Sequence, residues 1–317
     1  MFAWKRLPLL AALCGLPLLV SSPAQAQLNG SHTLGDFGVQ SGSQPTPGFY
    51  AALFYYTYNT DTIRDADGNR VVLAPGNPGS LEAAAIAPMV WWVSKARLFG
   101  ANYGVMVVLP RANTSIEAPA FGFEDTVDTS LADVMVRPLD LGWHTRRTDV
   151  NAGLQVYAPT GRYEPGGEDN IGKGMWTYEP FVGATFYFDQ KRTFSFATTA
   201  YWEIHDEKQD TDIKVGQILT LEGGLGKSFL GGGLILGAAY YGQWKLTEDE
   251  VGTFPPPGGK HQVLAYGPDV TLPIATKSRL ISLVNIRYLW ETGAKLKTEG
   301  ESLVVTATFP IPSVRLK

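Results

Sequence analysis

The chain has 317 residues, with 26 Lys and Arg against 30 Asp and Glu, for a formal net charge of −4. That balance leaves no basic footprint for nucleic acid. The one cysteine, Cys14, falls in an N-terminal apolar run, so disulfides, thiolate metal sites and cysteine catalysis are excluded from the rest of the chain.

Residues 1–26 read as a cleavable export signal. Lys5 and Arg6 supply the charged start, residues 7–20 the apolar run, and Ala24-Gln25-Ala26 the small-x-small cleavage site. The run is shorter than the ~20 residues of a spanning helix, and no later stretch reaches ~18 apolar residues. Residues 27–48 are rich in Gly, Ser, Thr and Pro and lack periodicity. They are expected as an irregular leader, either a partial plug inside a larger structure or a disordered tail.

From residue 49 the chain breaks into about twelve extended stretches, at 49–59, 82–94, 98–110, 130–144, 148–158, 175–188, 193–206, 214–229, 233–247, 261–274, 279–291 and 300–310. Short connectors alternate strictly with long ones. The short set is Ser94–Arg97, Thr145–Thr148, Asp189–Arg192, Leu230–Gly232 and Ala275–Ser278; the long set covers roughly 60–80, 111–129, 159–174, 207–213, 247–260 and 292–299. A soluble sandwich has no reason to sort its loops by length, whereas a transmembrane barrel has short periplasmic turns and long outer loops. The expectation is an all-β, antiparallel, up-and-down transmembrane barrel of about twelve strands over 49–317. With strands ~4.8 Å apart and tilted ~40°, its backbone diameter is roughly 24 Å and its lumen roughly 10–13 Å.

Alternation supports the strands where it reads cleanly. In 175–188, Trp176, Tyr178, Val182, Phe186 and Phe188 oppose Thr177, Glu179 and Thr185. In 233–247, Leu234, Leu236, Tyr240 and Trp244 oppose Gly237, Gln243 and Lys245, and in 279–291, Leu280, Val284, Ile286 and Trp290 oppose Asn285 and Arg287. The stretch 130–144 changes phase near Pro138, where a bulge is expected. Aromatics gather at both strand ends, as two interfacial girdles would: Trp91, Trp92, Phe99, Phe186, Phe188 and Phe309 by the short turns, and Tyr56, Tyr58, Tyr157, Trp176, Trp202 and Trp290 by the long loops.

Motifs of chemistry are weak. Gly223–Ser228 ends like a phosphate-binding loop, but Leu221 stands where its first glycine belongs, so it reads as a glycine-rich strand beside a tight turn. None of His32, His144, His205 and His261 has the i, i+4 spacing with an intervening glutamate that zincin chemistry needs, and no single serine stands out as the partner of a hydrolase histidine. Asp65–Asn69 lacks the full spacing of a cation loop and reads as a hairpin tip at Asp67-Gly68. No catalytic, cofactor or metal residue is assigned. The charges that share the inward phase are Asp133, Arg137, Glu179, Glu203, Lys245, Asp269 and Arg287. Facing lipid, a basic residue would cost roughly 2–4 kcal/mol at the midplane. These seven are the candidate pore-lining residues, with Arg287 expected near Glu179 or Glu203 in a ladder across the pore.

Several phrases carry a resemblance: His32-Thr33-Leu34-Gly35, Pro47-Gly48-Phe49-Tyr50, Leu131-Ala132-Asp133-Val134, Val156-Tyr157-Ala158-Pro159-Thr160-Gly161-Arg162-Tyr163, Tyr240-Tyr241-Gly242-Gln243 and Tyr266-Gly267-Pro268. In these the chain resembles the MetA-pathway of phenol degradation family, transporter-like outer-membrane proteins. The resemblance implies a Gram-negative outer-membrane channel for passive uptake of small hydrophobic or aromatic compounds, with outer-membrane lipids and such a solute as partners and no catalytic residues to carry over. The alternatives are a structural or adhesive barrel with a closed lumen and, more distantly, an outer-membrane lipid hydrolase. Barrel proteins commonly end on an aromatic residue, whereas here Phe309 is followed by eight more residues. The sequence sets neither the oligomeric state nor the solute.

Overall fold

A computed structural model describes residues 28–72, 79–118, 123–167, 170–252, 259–276 and 279–311. The expected export signal and cleavage site, and the tail after Ile311, lie outside the described residues.

Fourteen strands form one sheet. They are β1 Gly48–Thr60, β2 Ser80–Leu98, β3 Ala101–Val108, β4 Arg111–Ala118, β5 Phe123–Leu131, β6 Val134–His144, β7 Thr148–Ala158, β8 Thr177–Tyr187, β9 Phe194–His205, β10 Ile218–Phe229, β11 Leu234–Lys245, β12 Gln262–Ala275, β13 Leu280–Lys295 and β14 Glu301–Ile311. β1 pairs with β14 from Phe49↔Ile311 to Asn59↔Glu301 and with β2 from Gly48↔Val93 to Thr60↔Leu81. The circle is therefore closed, and twelve of the strands make an up-and-down antiparallel barrel, as the connector rhythm predicts.

The remaining two strands correct the reading of 111–129 as a long polar connector. β4 and β5 form a hairpin that continues the wall, with β4 pairing along the first half of β2 from Ser80↔Glu117 to Ile86↔Arg111. Thr114, Ile116, Thr126 and Val127 are β-branched residues that suit a ribbon, and the Ser115 and Thr126 hydroxyls pair across it at 3.1 Å. Pro110, which has no N–H for the ladder, separates β3 from β4. A second correction concerns Ser94–Arg97. These residues belong to β2, and the turn is Phe99-Gly100, with φ of 52° and 80°. Two positive φ values are the geometry whose twist matches a two-residue hairpin.

The phase change at Pro138 is a bulge. Register slips between Val136 and Leu139 against β7 and between Gly104 and Met106 against β3. The extra residue lets Arg137 and Asp140 both face inward. Asp65 caps the Asp67-Gly68 tip by accepting the N–H groups of Asp67 and Asn69 at 2.9 and 2.8 Å. The long loops pair with one another over the barrel end, Ile63–Arg64 with Lys297–Thr298 and Ile213–Lys214 with Glu250–Val251.

The outer surface is apolar. Val182, Phe186, Leu225, Leu236, Leu272 and Ile286 are all exposed, Val182 to 56%. Of the aromatics assigned to girdles, Trp92, Phe99, Phe186, Phe188, Phe309, Trp176, Trp202 and Trp290 do face outward. Trp91 and Tyr157 instead are buried inside, and Tyr58 turns inward to donate to Glu291 at 2.7 Å, with Tyr56 packed on the inner Phe54 cluster. Leu280, placed on the outer face by its parity, lines the interior because β13 shifts phase between Ser282 and Asn285.

Candidate functional site

The site is the barrel interior, and its two halves differ in chemistry. On β8 to β13 the inward positions carry charge; on β1, β2 and β3 they are mostly apolar, and β6 carries both kinds, Met135 beside Arg137 and Asp140. The leader, residues 28–47, runs through the interior against the charged half.

A segment without regular structure must find partners for its backbone N–H and C=O groups. Here the wall supplies them. Lys245 Nζ donates to Leu28 O at 3.0 Å. Glu203 Oε1 accepts from Ser31 N at 2.5 Å and from His32 N at 3.0 Å. Glu222 Oε2 accepts from Gly35 N at 2.8 Å, Asp269 Oδ2 accepts from Val39 N at 3.1 Å, and Arg287 Nη2 donates to Asp36 O at 2.6 Å. Further along, Gln44 Nε2 donates to Asp140 O at 2.9 Å.

Small residues make this approach possible. A Cβ added to Gly224 would lie 2.8 Å from Val39 Cγ1, and one added to Gly237 would lie 2.7 Å from the same atom. The glycine run that mimics a phosphate loop is thus a shallow place in the wall of β10 and β11 where the leader's single 3-10 turn, Gly38–Gln40, lies close.

His32 is the leader's most enclosed side chain of chemical note. Its Nδ1 lies 3.0 Å from Glu179 Oε1 and its Nε2 3.5 Å from Glu222 Oε2, and its ring meets Tyr201 with centroids 4.5 Å apart. Burial alone would lower the imidazole's pKa, but the Glu179 and Glu222 carboxylates together hold it well above the usual histidine value. Burial, then Glu222, pushes the Asp36 carboxyl well up. At the long-loop end, burial and then the neighbouring Lys173 bring the Lys208 ammonium down to about 7, and burial brings Lys297 down to about 8.

A cavity of about 630 Å³ lies between the opposite half and the leader, and reaches Thr185, Ser195, Asn285 and Arg287 on the polar side. Trp91, Val93, Met106, Met135 and Tyr157 form one buried cluster, on which the leader's Phe37 packs; Phe54, Ala87 and Val304 form a second. Phe37 meets Trp91 edge-on at 6.2 Å, and Trp91 Nε1 donates to Asp140 at 2.8 Å. The indole is thereby fixed with its apolar body toward the cavity.

All seven sequence-derived candidates are inward and buried, with divided surroundings. Asp133 and Arg287 border the cavity. Glu203, Lys245 and Asp269 are engaged by the leader backbone, and Glu179 by His32. Arg137 gives two N–H groups to Gln155 Oε1, at 3.0 and 2.7 Å, and lies 4.4 Å over the Phe181 ring. The expected ladder from Arg287 to Glu179 or Glu203 is not formed, because Arg287 pairs in register with Asp269 and bonds the leader. Sequence reasoning missed Glu222, Asp140, Gln155 and Asp36. Glu222 shares its phase with Thr220 and could have been found by alternation, but Asp36 lies where no periodicity exists.

No curated protein matches the chain. An outer membrane channel from Pseudomonas putida F1 shares the fold, with a TM-score of 0.74 at 12% identity over 89% of this chain and 100% of that one. The β domain of the Bordetella autotransporter BrkA aligns at 11% identity over 84% and 100% with a TM-score of 0.48, and the transport unit of AIDA-I from Escherichia coli at 8% over 92% and 96% with 0.47. Residues 60–307 match the family described as "Putative MetA-pathway of phenol degradation", a span that includes the Pro159–Tyr163 phrase but begins after His32–Gly35 and Pro47–Tyr50. With over half its length so matched and a closed twelve-stranded barrel beneath it, the chain belongs to this family.

Proposed function

We propose that the protein is a passive channel of the Gram-negative outer membrane that admits small hydrophobic or aromatic compounds. In this reading residues 1–26 are removed on export, the apolar outer face meets lipid, and residues 27–48 remain as a partial plug. The seven inward charges fix the plug and the electrostatics of the lumen, and no residue has a catalytic role.

The observation that carries the reading is the one-sided apolar interior. A cavity of about 630 Å³ faced by Phe54, Met89, Trp91, Met106 and Met135 offers an aromatic solute a surface that a sugar cannot use. Its volume falls within the ~300–1,000 Å³ typical of small-molecule sites. The family's description, which names phenol degradation, points to the same solute class.

Flux into liposomes holding the purified protein tests this. Phenol-sized neutral aromatics should enter at least tenfold faster than into empty liposomes, and faster than a sugar of similar mass. Equal rates for both solutes would overturn the hydrophobic preference. The second reading, a structural barrel with a closed lumen, draws on the leader's cover over the charged wall. It predicts no protein-dependent flux of either solute.

A further inference from the structure

Three ligand-type side chains converge inside the barrel from two separate parts of the chain. The leader brings His32 and Asp36, four residues apart, and β10 brings Glu222; one donor atom of each lies within 4.8 Å of the others. The His32 and Glu222 side chains are wholly buried. His32 Nε2, Asp36 Oδ1 and Glu222 Oε1 are all enclosed without a hydrogen-bond partner. Buried polar atoms are ordinarily satisfied, so three such atoms in one place point to a missing ligand.

The far side of the imidazole supports a cation. Nδ1 lies 3.0 Å from Glu179 Oε1. A histidine that binds metal through one ring nitrogen commonly donates the other N–H to a carboxylate, which fixes the tautomer and raises the basicity of the metal-facing nitrogen. Charge agrees. Four carboxylates, Asp36, Glu179, Glu203 and Glu222, face this cluster against the guanidiniums of Arg137 and Arg287.

We propose that His32, Asp36 and Glu222 bind one divalent cation of the zinc class, which clasps the leader to the barrel wall. One imidazole and two carboxylates suit zinc, which takes three protein ligands with a further position open to water. Calcium, which wants six to eight oxygens, is poorly served by the same set. Around bonds of ~2.0–2.2 Å the three donors must draw together. Asp36 sits on the irregular leader and not on a strand, so its approach needs no change in the wall. The clasp rests on the reading of the leader as a plug; the metal site itself does not.

The test uses refolded barrel of residues 27–317, stripped with chelator and titrated with Zn²⁺ alone by calorimetry, with bound zinc counted by mass spectrometry. One zinc per barrel is expected, with at least tenfold weaker binding in His32→Gln and in Glu222→Gln and unchanged binding in His261→Gln. Asp36→Asn serves if either first variant loses heat-modifiable gel mobility. Absence of stoichiometric zinc, or equal binding in every variant, overturns the site. Zinc should also lower single-channel conductance and chelator restore it; bound zinc with unchanged conductance overturns the clasp. Deletion of residues 28–44 tests the plug separately when chelator is present throughout, since neither protein then holds zinc and only the obstruction differs.

Discussion

Glu203 Oε1 on β9 accepts the backbone N–H of His32 at 3.0 Å, joining residues 171 positions apart. The same oxygen takes the N–H of Ser31. A strand residue in the middle of the chain therefore fixes the path of a segment that precedes the first strand.

Glu203→Gln should loosen the leader without dissolving the barrel. Replacing a carboxylate acceptor with a neutral amide weakens two charge-assisted hydrogen bonds, at about 2 kcal/mol in all, or roughly a thirtyfold rise in the released population. Added protease should cut the leader correspondingly faster in proteoliposomes. Cleavage at the wild-type rate would remove Glu203 as an anchor.

Inward charges that border the cavity should respond differently from those that the leader covers. Arg287 borders the cavity, so Arg287→Gln is expected to shift reversal potentials toward cation preference. Glu203 is covered by the leader, so Glu203→Gln should change selectivity only when residues 28–44 are also deleted. Reversal potentials that move equally in both single variants would contradict this division.

On the apolar side, Met89→Gln places an amide against the wall near Phe54 and Val108. Solvation of that amide disfavours an apolar solute there by about 1–2 kcal/mol, giving roughly a tenfold drop in aromatic flux. Ion conductance should stay within a factor of two. Unaltered aromatic flux would mean that solutes take another path.

Arg137→Met should destabilise the barrel by about 2–4 kcal/mol, through loss of two charged hydrogen bonds to Gln155 and the contact over Phe181. Urea unfolding of detergent-solubilised protein measures this. A change below ~1 kcal/mol would show that water replaces the guanidinium at little cost.

Lys208 gives a pH dependence of defined sign. Its folded pKa of about 7 lies below the ordinary lysine value of 10.5. Between these values the unfolded chain holds the extra proton, so stability rises with pH across the window, and the penalty is complete below pH 7. Urea midpoints at pH 6.5, 8 and 9.5 should rise in wild type and rise less in Lys208→Met. An equal slope in the variant would assign the effect to other groups.

The barrel was legible because lipid on one side and water on the other impose a period of two and a fixed order of loop lengths. Val182 outward and Glu179 inward follow from alternation alone. Legibility failed where parity breaks or is absent. The phase shift in β13 puts Leu280 on the face opposite to its parity, and Trp91 and Tyr157 line the interior, although an aromatic on an inner apolar wall looks in sequence like an interfacial ring. The β4–β5 hairpin hid in polar residues, since a ribbon standing clear of the membrane needs no apolar face. The leader's partners were illegible because Glu203, Glu222 and Asp269 meet backbone N–H groups, which every residue but proline carries.

Single-channel recording in planar bilayers, with wild type beside a barrel lacking residues 28–44, tests the central claim most directly. Small discrete openings are expected in wild type and severalfold larger steady ones after deletion, because the leader occupies the charged half of a lumen that conducts along its apolar half. Absence of openings in both proteins, with heat-modifiable mobility intact, would contradict it and leave a barrel whose interior is closed scaffold.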